Sequence, residues 1–231
     1  MINTVFFDLD DTLFDFKRSE RVALSKTLDG LGIKPTEEIL NLYHAINKAQ
    51  WKALERGEAT REFILLQRYV ILFNELGYDI PAINAQKAYE KNLSESYFYI
   101  DGALEVLEET YQKYDLCLAS NGTAKVQDGR IGLSGIGKYF KHIFISERVG
   151  HNKPSESFFS ACFNVIGQDR RKSSIIIGDS LSSDILGGYN AGIKTVLYNP
   201  SGAAVSGAVK PDYTVRDILE IPALLEKINE G

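Results

Sequence analysis

Apolar and polar positions follow two different patterns along the chain. From residue 103 onward, short apolar runs alternate with segments in which apolar residues recur every three or four positions. Such alternation is typical of parallel strands whose connecting helices cover both faces of a sheet. The runs that carry the strand signal are LCLAS, HIFIS, SIIIGD and KTVLYN, and TVFFD near the N-terminus is a further one.

The stretch between residues 16 and 98 contains no such strand-like run. Its apolar residues recur at helical spacing, as in TEEILNLYHAINKAQWKALERG, where Ile39, Tyr43 and Ile46 lie near one face. Glycines and Pro81 divide the stretch into separate helices. The pattern therefore predicts an all-helical segment that is inserted after the first strand.

Together the two patterns predict an α/β protein built of two parts. The first is a Rossmann-like, three-layer core with a parallel sheet, formed by residues 1–15 and 99–231. The second is an inserted, all-helical cap domain, formed by residues 16–98. In a core of this kind, ligands bind beyond the carboxyl ends of the strands, where the connecting loops converge.

Composition and charge narrow the choice of partners. The chain has 231 residues, of which 44% are hydrophobic, enough to bury a substantial core. Its formal net charge is -5, and its sequence contains no run of basic residues. Both observations argue against nucleic acid polymers and membranes as partners. Because the N-terminus does not resemble a signal peptide, we expect a cytoplasmic protein with Cys117 and Cys162 as reduced, buried thiols. We expect it to be a monomer or a weak homodimer.

Polar side chains lie directly after several of the predicted strands. Three carboxylates follow VFF within four positions, and carboxylates that close repel one another. A cation or an anion-transfer reaction would compensate for that repulsion. The strand-end side chains are Asp8, Asp10 and Asp11 after the first strand, Ser120 and Asn121 after the second, Lys153 in the loop after the third, and Asp179 with Asp184 after the fourth.

These carboxylates have one chemical interpretation in common. Mg2+ prefers oxygen ligands, and Asp8 with Asp179 is the candidate pair of carboxylates. Beside a metal, Asp8 could attack phosphorus and form an aspartyl-phosphate. Asp10 lies on the same side of an extended chain and could move the proton of the leaving oxygen. Asp11 remains without an assignment.

Phosphoryl oxygens require positive charge and hydrogen-bond donors. Lys153 and the Ser120 hydroxyl supply these, and the amide of Asn121 lies beside them, so we predict all three as phosphate-binding. Each has a plainer interpretation by itself, because Ser120 and Asn121 could form an ordinary turn and Lys153 could be solvated. Asp184 could equally be an acid at a helix N-terminus. Only their coincidence with the strand-end carboxylates favours catalysis.

The haloacid dehalogenase superfamily has four ordered motifs, and this chain resembles them at Asp8-x-Asp10-x-Thr12, Ser120, Lys153 and Gly178-Asp179. The helical segment is similar to the C1 cap of subfamily I, which is inserted after the first motif. The resemblance implies that Asp8 is the nucleophile and Asp10 the general acid/base. It also implies that a metal is bound by the carboxylates of Asp8 and Asp179 and by the backbone carbonyl of Asp10. Asp184 would support these ligands. The namesake dehalogenases lack an acid two residues after the nucleophile, so Asp10 favours a phosphatase.

A finer resemblance is to the bacterial pyrimidine 5'-nucleotidases. It rests on Asn47 and Trp51 in NKAQW, on the spaced Gln127 and Arg130, and on GDSLSSDILGGYNAG. The resemblance implies a nucleoside 5'-monophosphate as substrate and a base-facing role for Asn47 and Trp51. Trp51 could instead belong to the core of the cap.

The sequence thus predicts a Mg2+-dependent phosphomonoester hydrolase that acts on a small-molecule phosphate monoester. Two alternatives stay open. The first is a sugar-phosphate or phosphoglycolate phosphatase, which would use the same core residues. The second is a non-catalytic, phosphoryl-dependent binding module that has kept the fold.

Overall fold

Six parallel strands form the sheet at the centre of the molecule. The computed structural model describes residues 1–206 and 209–231, and within them the strand order is β3-β2-β1-β4-β5-β6. The strands are β1 (Thr4–Phe7), β2 (Asp115–Ser120), β3 (His142–Ile145), β4 (Ser174–Gly178), β5 (Lys194–Tyr198) and β6 (Tyr213–Val215). The order reverses between β1 and β4, and such a switch point opens a crevice at the carboxyl ends of the strands.

Helices cover the sheet and form the insertion after β1. Four of them lie between β1 and β2, namely α1 (Phe16–Gly30), α2 (Glu37–Glu55), α3 (Arg61–Leu76) and α4 (Ala82–Ser94). The others are α5 (Ala103–Thr110), α6 (Ala124–Ser134), α7 (Ser146–Val149), α8 (Glu156–Ile166), α9 (Leu186–Ala191) and α10 (Ile221–Glu230). The predicted fold class, a parallel α/β core with a helical cap, is confirmed. The exact division at residues 16 and 98 stays a prediction.

The helical insertion has local signals at its helix ends and a core of its own. The hydroxyl of Thr60 accepts a hydrogen bond from Phe63 N at 3.3 Å, and this N-cap begins α3. Gly77 ends α3 in the left-handed conformation, with φ of 70°. Tyr43, Tyr69 and other buried residues of α1 to α4 pack together, so the four helices form one unit.

Both faces of the central strand β1 are buried. Val5 and Phe7 face one apolar cluster and Phe6 faces the other, as the alternation of side chains along a strand requires. Cys117 and Cys162 lie in the second cluster as buried, free thiols, as predicted. Burial raises the pKa of Cys117 to about 12, so its thiol stays protonated at neutral pH. None of the described helices has the length and apolar character needed to cross a bilayer.

The contact between α9 and the sheet gives a prediction about stability. A Cβ at Gly188 would lie 2.6 Å from the Cγ2 atoms of Ile176 and Thr195, so Gly188→Ala should lower the free energy of unfolding by about 1–3 kcal/mol. Gly132 in α6 has open space around it, so Gly132→Ala should be neutral or stabilising by up to about 1 kcal/mol. Urea denaturation of both variants measures the difference. Equal stabilities would show that α9 does not pack closely on β4 and β5.

Candidate active site

The carboxylate of Asp8 lies at the end of β1, where the strand order reverses. Its backbone N–H donates to Ile177 O at 2.9 Å, which continues the pairing of β1 with β4 one residue past the strand. The chain then turns sharply, because the N–H groups of Leu13 and Phe14 both donate to Leu9 O. This turn begins the helical insertion and fixes Asp8 at the sheet edge.

Asp11, which the sequence left unassigned, shapes the same turn. Its φ of 57° lies in the left-handed region, which Asp and Asn adopt more readily than most residues. Its Oδ1 accepts hydrogen bonds from Phe16 N at 3.0 Å and Lys17 N at 3.3 Å, at the start of α1. Asp11 therefore has a structural explanation that needs no part in catalysis.

Lys153 is buried between two carboxylates. Its Nζ donates to Asp8 Oδ1 at 2.7 Å, to Asp184 Oδ1 at 2.6 Å and to Ala119 O at 2.6 Å. Burial lowers the pKa of the Lys153 ammonium, but the carboxylates of Asp184 and Asp8 outweigh this effect and raise it above its ordinary value. The lysine is therefore a fixed positive charge that orients the Asp8 carboxylate.

The side chain of Asn121 holds the loop that carries Lys153. Asn121 Oδ1 accepts from Lys153 N at 2.8 Å, while its Nδ2 donates to Lys153 O at 2.8 Å. Nδ2 also lies 3.2 Å from Ser183 Oγ. The Asn121 side chain therefore positions Lys153, and its predicted contact with phosphate stays a prediction.

Three carboxylates meet beside Lys153. Oxygen atoms of Asp8, Asp179 and Asp184 lie within 4.8 Å of one another. Burial raises the pKa of Asp8 to about 8 even though Lys153 opposes the change. Burial and the nearby carboxylates of Asp184 and Asp8 raise the pKa of Asp179 well above its usual range. If all three carboxylates ionise, their charge exceeds what one lysine balances. Their oxygen donors fit a hard divalent cation, which would stabilise the ionised forms.

The structure also brings Asp10 and Ser120 together. Gln127 Nε2 donates to Asp10 Oδ2 at 2.7 Å and to Ser120 Oγ at 2.9 Å. Arg130 Nη1 donates to the other carboxylate oxygen of Asp10. Only the nucleotidase resemblance pointed to Gln127 and Arg130 in the sequence, and it gave them no role.

A cavity of about 320 Å³ lies between the strand ends and the helical insertion. Asn47 and Trp51 of α2 both line it, as do Asp8 and Asp179. The two α2 side chains differ in their freedom to bind a ligand. Asn47 is buried, and its amide is already paired: Nδ2 donates to Glu20 Oε1 at 2.7 Å, and Oδ1 accepts from an arginine of α3 at 2.9 Å. Trp51 is half-buried, so part of its surface stays accessible.

Arg61 connects the helical insertion to the loops at the strand ends, and no sequence pattern indicated this. Its Nη1 donates to Asn121 O at 2.9 Å. Its Nη2 donates to Ser146 Oγ and to Asn152 Oδ1, both at 2.6 Å. The guanidinium carbon lies 5.5 Å from the ring centre of Trp51. One side chain of α3 thus fixes the cavity wall against the loops after β2 and β3.

The order of the strand-end residues and their geometry agree with the motifs of one enzyme family. Residues 5–198 match the family model described as haloacid dehalogenase-like hydrolase. The chain belongs to this family. The predicted membership of the haloacid dehalogenase superfamily is therefore confirmed.

Individual haloacid dehalogenase-like hydrolases resemble the chain over almost its whole length. It is 34% identical to the HAD-hydrolase YfnB of Bacillus subtilis, covering 96% of this chain and 94% of YfnB. The magnesium-bound crystal structure of YfnB has a TM-score of 0.92, covering 97% of this chain and 98% of that one. The chain is also 33% identical to the pyrimidine 5'-nucleotidase PynA of Streptococcus pneumoniae, covering 96% of this chain and 94% of PynA. Its identity to the pyrimidine 5'-nucleotidase YjjG of Escherichia coli is 28%, covering 96% of this chain and 97% of YjjG.

The cavity wall contains a histidine whose charge should affect stability. His44 Nδ1 lies 2.5 Å from Glu20 Oε2, and this hydrogen bond raises the pKa of His44. The charged pair therefore stabilises the fold fully at pH values below the pKa of His44 in the unfolded chain, about 6.5. This stabilisation is lost as pH rises through the pKa of His44 in the folded protein. His44→Gln should lower the free energy of unfolding at pH 6 by no more than about 1 kcal/mol, because the imidazole is partly exposed.

Urea denaturation of wild type and His44→Gln between pH 6 and pH 9 checks this expectation. The difference between the two proteins should shrink as pH rises. His151→Gln, at an exposed histidine, provides the control and should show no such trend. A pH-independent difference for His44→Gln would mean that the pair with Glu20 does not depend on the imidazole charge.

Proposed function

We propose that this chain is a Mg2+-dependent phosphomonoester hydrolase that acts on nucleoside 5'-monophosphates through an aspartyl-phosphate on Asp8. The observation that carries the proposal is the fixed carboxylate of Asp8. It lies at the switch point of the sheet, 2.7 Å from the Lys153 ammonium and in one cluster with Asp179. Within the described part of the chain, its second oxygen, Oδ2, accepts a hydrogen bond only from the Thr12 hydroxyl, at a long 3.4 Å.

The donor set supports Mg2+ as the cofactor. The carboxylates of Asp8 and Asp179, with the backbone carbonyl of Asp10, would hold the ion. Asp184 would support them through Lys153 and through the N–H of Ser180, which donates to Asp184 Oδ2 at 3.1 Å. When bound, Mg2+ supplies positive charge that stabilises the phosphoryl oxygens. The crystal structure of the similar protein YfnB is bound to magnesium, which favours the same cofactor.

The residues of the chain divide the reaction into two displacements. In the first, an oxygen of Asp8 forms a bond to phosphorus while the bond to the substrate's leaving oxygen breaks, and Asp10 gives that oxygen a proton. In the second, Asp10 takes a proton from water, the water oxygen bonds to phosphorus, and the bond to Asp8 breaks. Lys153 and the Ser120 hydroxyl hold the charge of the phosphoryl group.

The helical insertion supports a nucleotide as the substrate. The phosphate-binding residues all lie at the strand ends, so the leaving group must be distinguished by the part of the cavity formed by α1 to α4. Trp51 offers that cavity a partly accessible aromatic surface on which a base could stack. The similarity to PynA and YjjG extends through this insertion. Asn47 would act there indirectly, by ordering Glu20.

Replacing Asp8 tests its role as the nucleophile. Asp8→Asn keeps the size of the side chain but removes its ability to form an aspartyl-phosphate, so kcat should fall by on the order of 10,000-fold or more. Asp11→Asn is the matched control, since Asn tolerates the left-handed backbone and keeps the oxygen acceptor, and its kcat should stay within about threefold of wild type. Steady-state hydrolysis of UMP in the presence of Mg2+ measures the kcat of both variants.

Excess chelator should abolish the wild-type activity in the same assay, and added Mg2+ should restore it. Undiminished turnover by Asp8→Asn, or by the chelated wild type, would overturn the proposed mechanism.

The proposed substrate class also predicts the enzyme's specificity. UMP and dTMP should have higher kcat/KM than phosphoglycolate or hexose phosphates. If a base stacks on Trp51, Trp51→Leu should lower kcat/KM for UMP by about tenfold while changing that for p-nitrophenyl phosphate by less than about threefold. Tyr78→Leu removes an exposed aromatic outside the cavity and should change neither. Parallel losses on both substrates would place Trp51 in the core of the cap.

A further inference from the structure

Two buried side chains of α6 have no place in the proposed reaction. Arg130 has no exposed surface and Gln127 is 1% exposed, and they lie about one helical turn apart. A fully buried guanidinium is costly unless charged or polar partners compensate for its lost hydration. The partners of Arg130 therefore indicate what the residue does.

The two side chains together hold both carboxylate oxygens of Asp10. Arg130 Nη1 donates to Oδ1 of Asp10, and Gln127 Nε2 donates to Oδ2 at 2.7 Å. Arg130 also orients Gln127, because Nη1 donates to Gln127 Oε1 at 3.0 Å. Gln127 in turn lies 2.9 Å from the Ser120 hydroxyl. Asp10 is thus held on the side of the cavity where the phosphoryl group is expected.

The backbone near Ser120 leaves space for this arrangement. A Cβ at Gly122 would lie 2.2 Å from Gln127 Nε2. Any other residue at this position would displace the amide that contacts Asp10 and Ser120. Glycine therefore allows the turn after β2 and the side chain of Gln127 to occupy adjacent positions.

Arg130 is itself fixed by the two segments that connect the helical insertion to the sheet. Its Nε donates to Ser96 O at 3.1 Å, in the segment that returns from α4. Its guanidinium carbon lies 5.1 Å from the ring centre of Phe14 and 5.8 Å from that of Phe16, in the segment that leads into α1. These contacts determine where its Nη1 points.

We propose that Arg130, with Gln127 as its partner, is a positioning residue that holds the Asp10 carboxylate in the orientation needed for proton transfer. The inference rests on the proposed function, in which Asp10 moves the proton. The Asp10 side chain is 28% exposed, so packing alone leaves it room to rotate. A proton donor must lie about 2.6–3.2 Å from its acceptor, and a misplacement of about 1 Å can cost on the order of 100-fold in rate.

A purely structural role for Arg130 makes a different prediction. If the arginine only stabilises the fold, its replacement should affect activity equally whether or not Asp10 can transfer a proton. If it acts through Asp10, its effect should disappear once Asp10 has lost that ability. A double-mutant cycle with Asp10→Asn separates the two cases.

The experiment compares kcat and KM for UMP in wild type, Arg130→Lys, Asp10→Asn and the double variant. Arg130→Lys retains a positive charge but cannot reproduce the contacts of Nε and Nη1 together. We expect kcat to fall by about 10- to 100-fold in the wild-type background with KM within about threefold, and by less than about twofold in the Asp10→Asn background. Arg148→Lys, at an exposed arginine of α7, is the matched control and should leave kcat unchanged.

Thermal unfolding of each variant shows whether it is folded. If Arg130→Lys does not fold, Gln127→Leu replaces it in the cycle and should lower kcat more in the wild-type background than in Asp10→Asn. An equal loss of kcat in both backgrounds, or a loss only in KM, would overturn the positioning role while leaving the phosphatase intact. Full activity of Asp10→Asn would instead contradict the proposed function on which the role rests.

Discussion

The buried ammonium of Lys153 is the interaction on which the strand-end site depends. Its three hydrogen bonds reach Asp8 after β1, Asp184 after β4 and Ala119 O within β2, so one side chain joins three neighbouring strands. Burying an isolated ammonium costs several kcal/mol, and the two carboxylates offset that cost. Removing it would leave both acids without their positive partner in a site crowded with carboxyl groups. The same crowding of carboxyl oxygens explains why the site suits a divalent cation.

The strand-end cluster could be predicted from the sequence because the fold restricts its position. Once the apolar runs indicate a parallel sheet, Asp8 and Asp179 must come to one edge, because each directly follows a strand. Lys153 lies beyond α7, and the loop that Asn121 holds brings it to the same edge. Contacts that depend on side-chain rotamers could not be predicted in this way. Asn121 shares that edge, yet its amide pairs with the Lys153 backbone. Asp11 likewise follows Asp10 directly, but a left-handed backbone turns it toward the start of α1.

Contacts between the helical insertion and the core were the least accessible to sequence analysis. Helical periodicity shows which residues of α2 or α3 share a face, but it does not show which loop that face meets. Arg61 reaches the loops after β2 and β3 because of how the four helices pack over the sheet. Arg130 lies at the junction of both connecting segments for the same reason. Such long-range packing is a property of the folded chain as a whole.

In the proposed reaction, Asp8 carries the phosphoryl group between substrate and water. An acyl phosphate can be trapped by quenching the reaction of enzyme, Mg2+ and UMP in acid within the first turnover and reducing it with borohydride. Peptide mass spectrometry then locates the reduced side chain, because reduction converts a phosphorylated aspartate to homoserine. We expect homoserine at position 8, dependent on both UMP and Mg2+. Modification at a different residue, or phosphate release with no reduced residue at any time point, would contradict it.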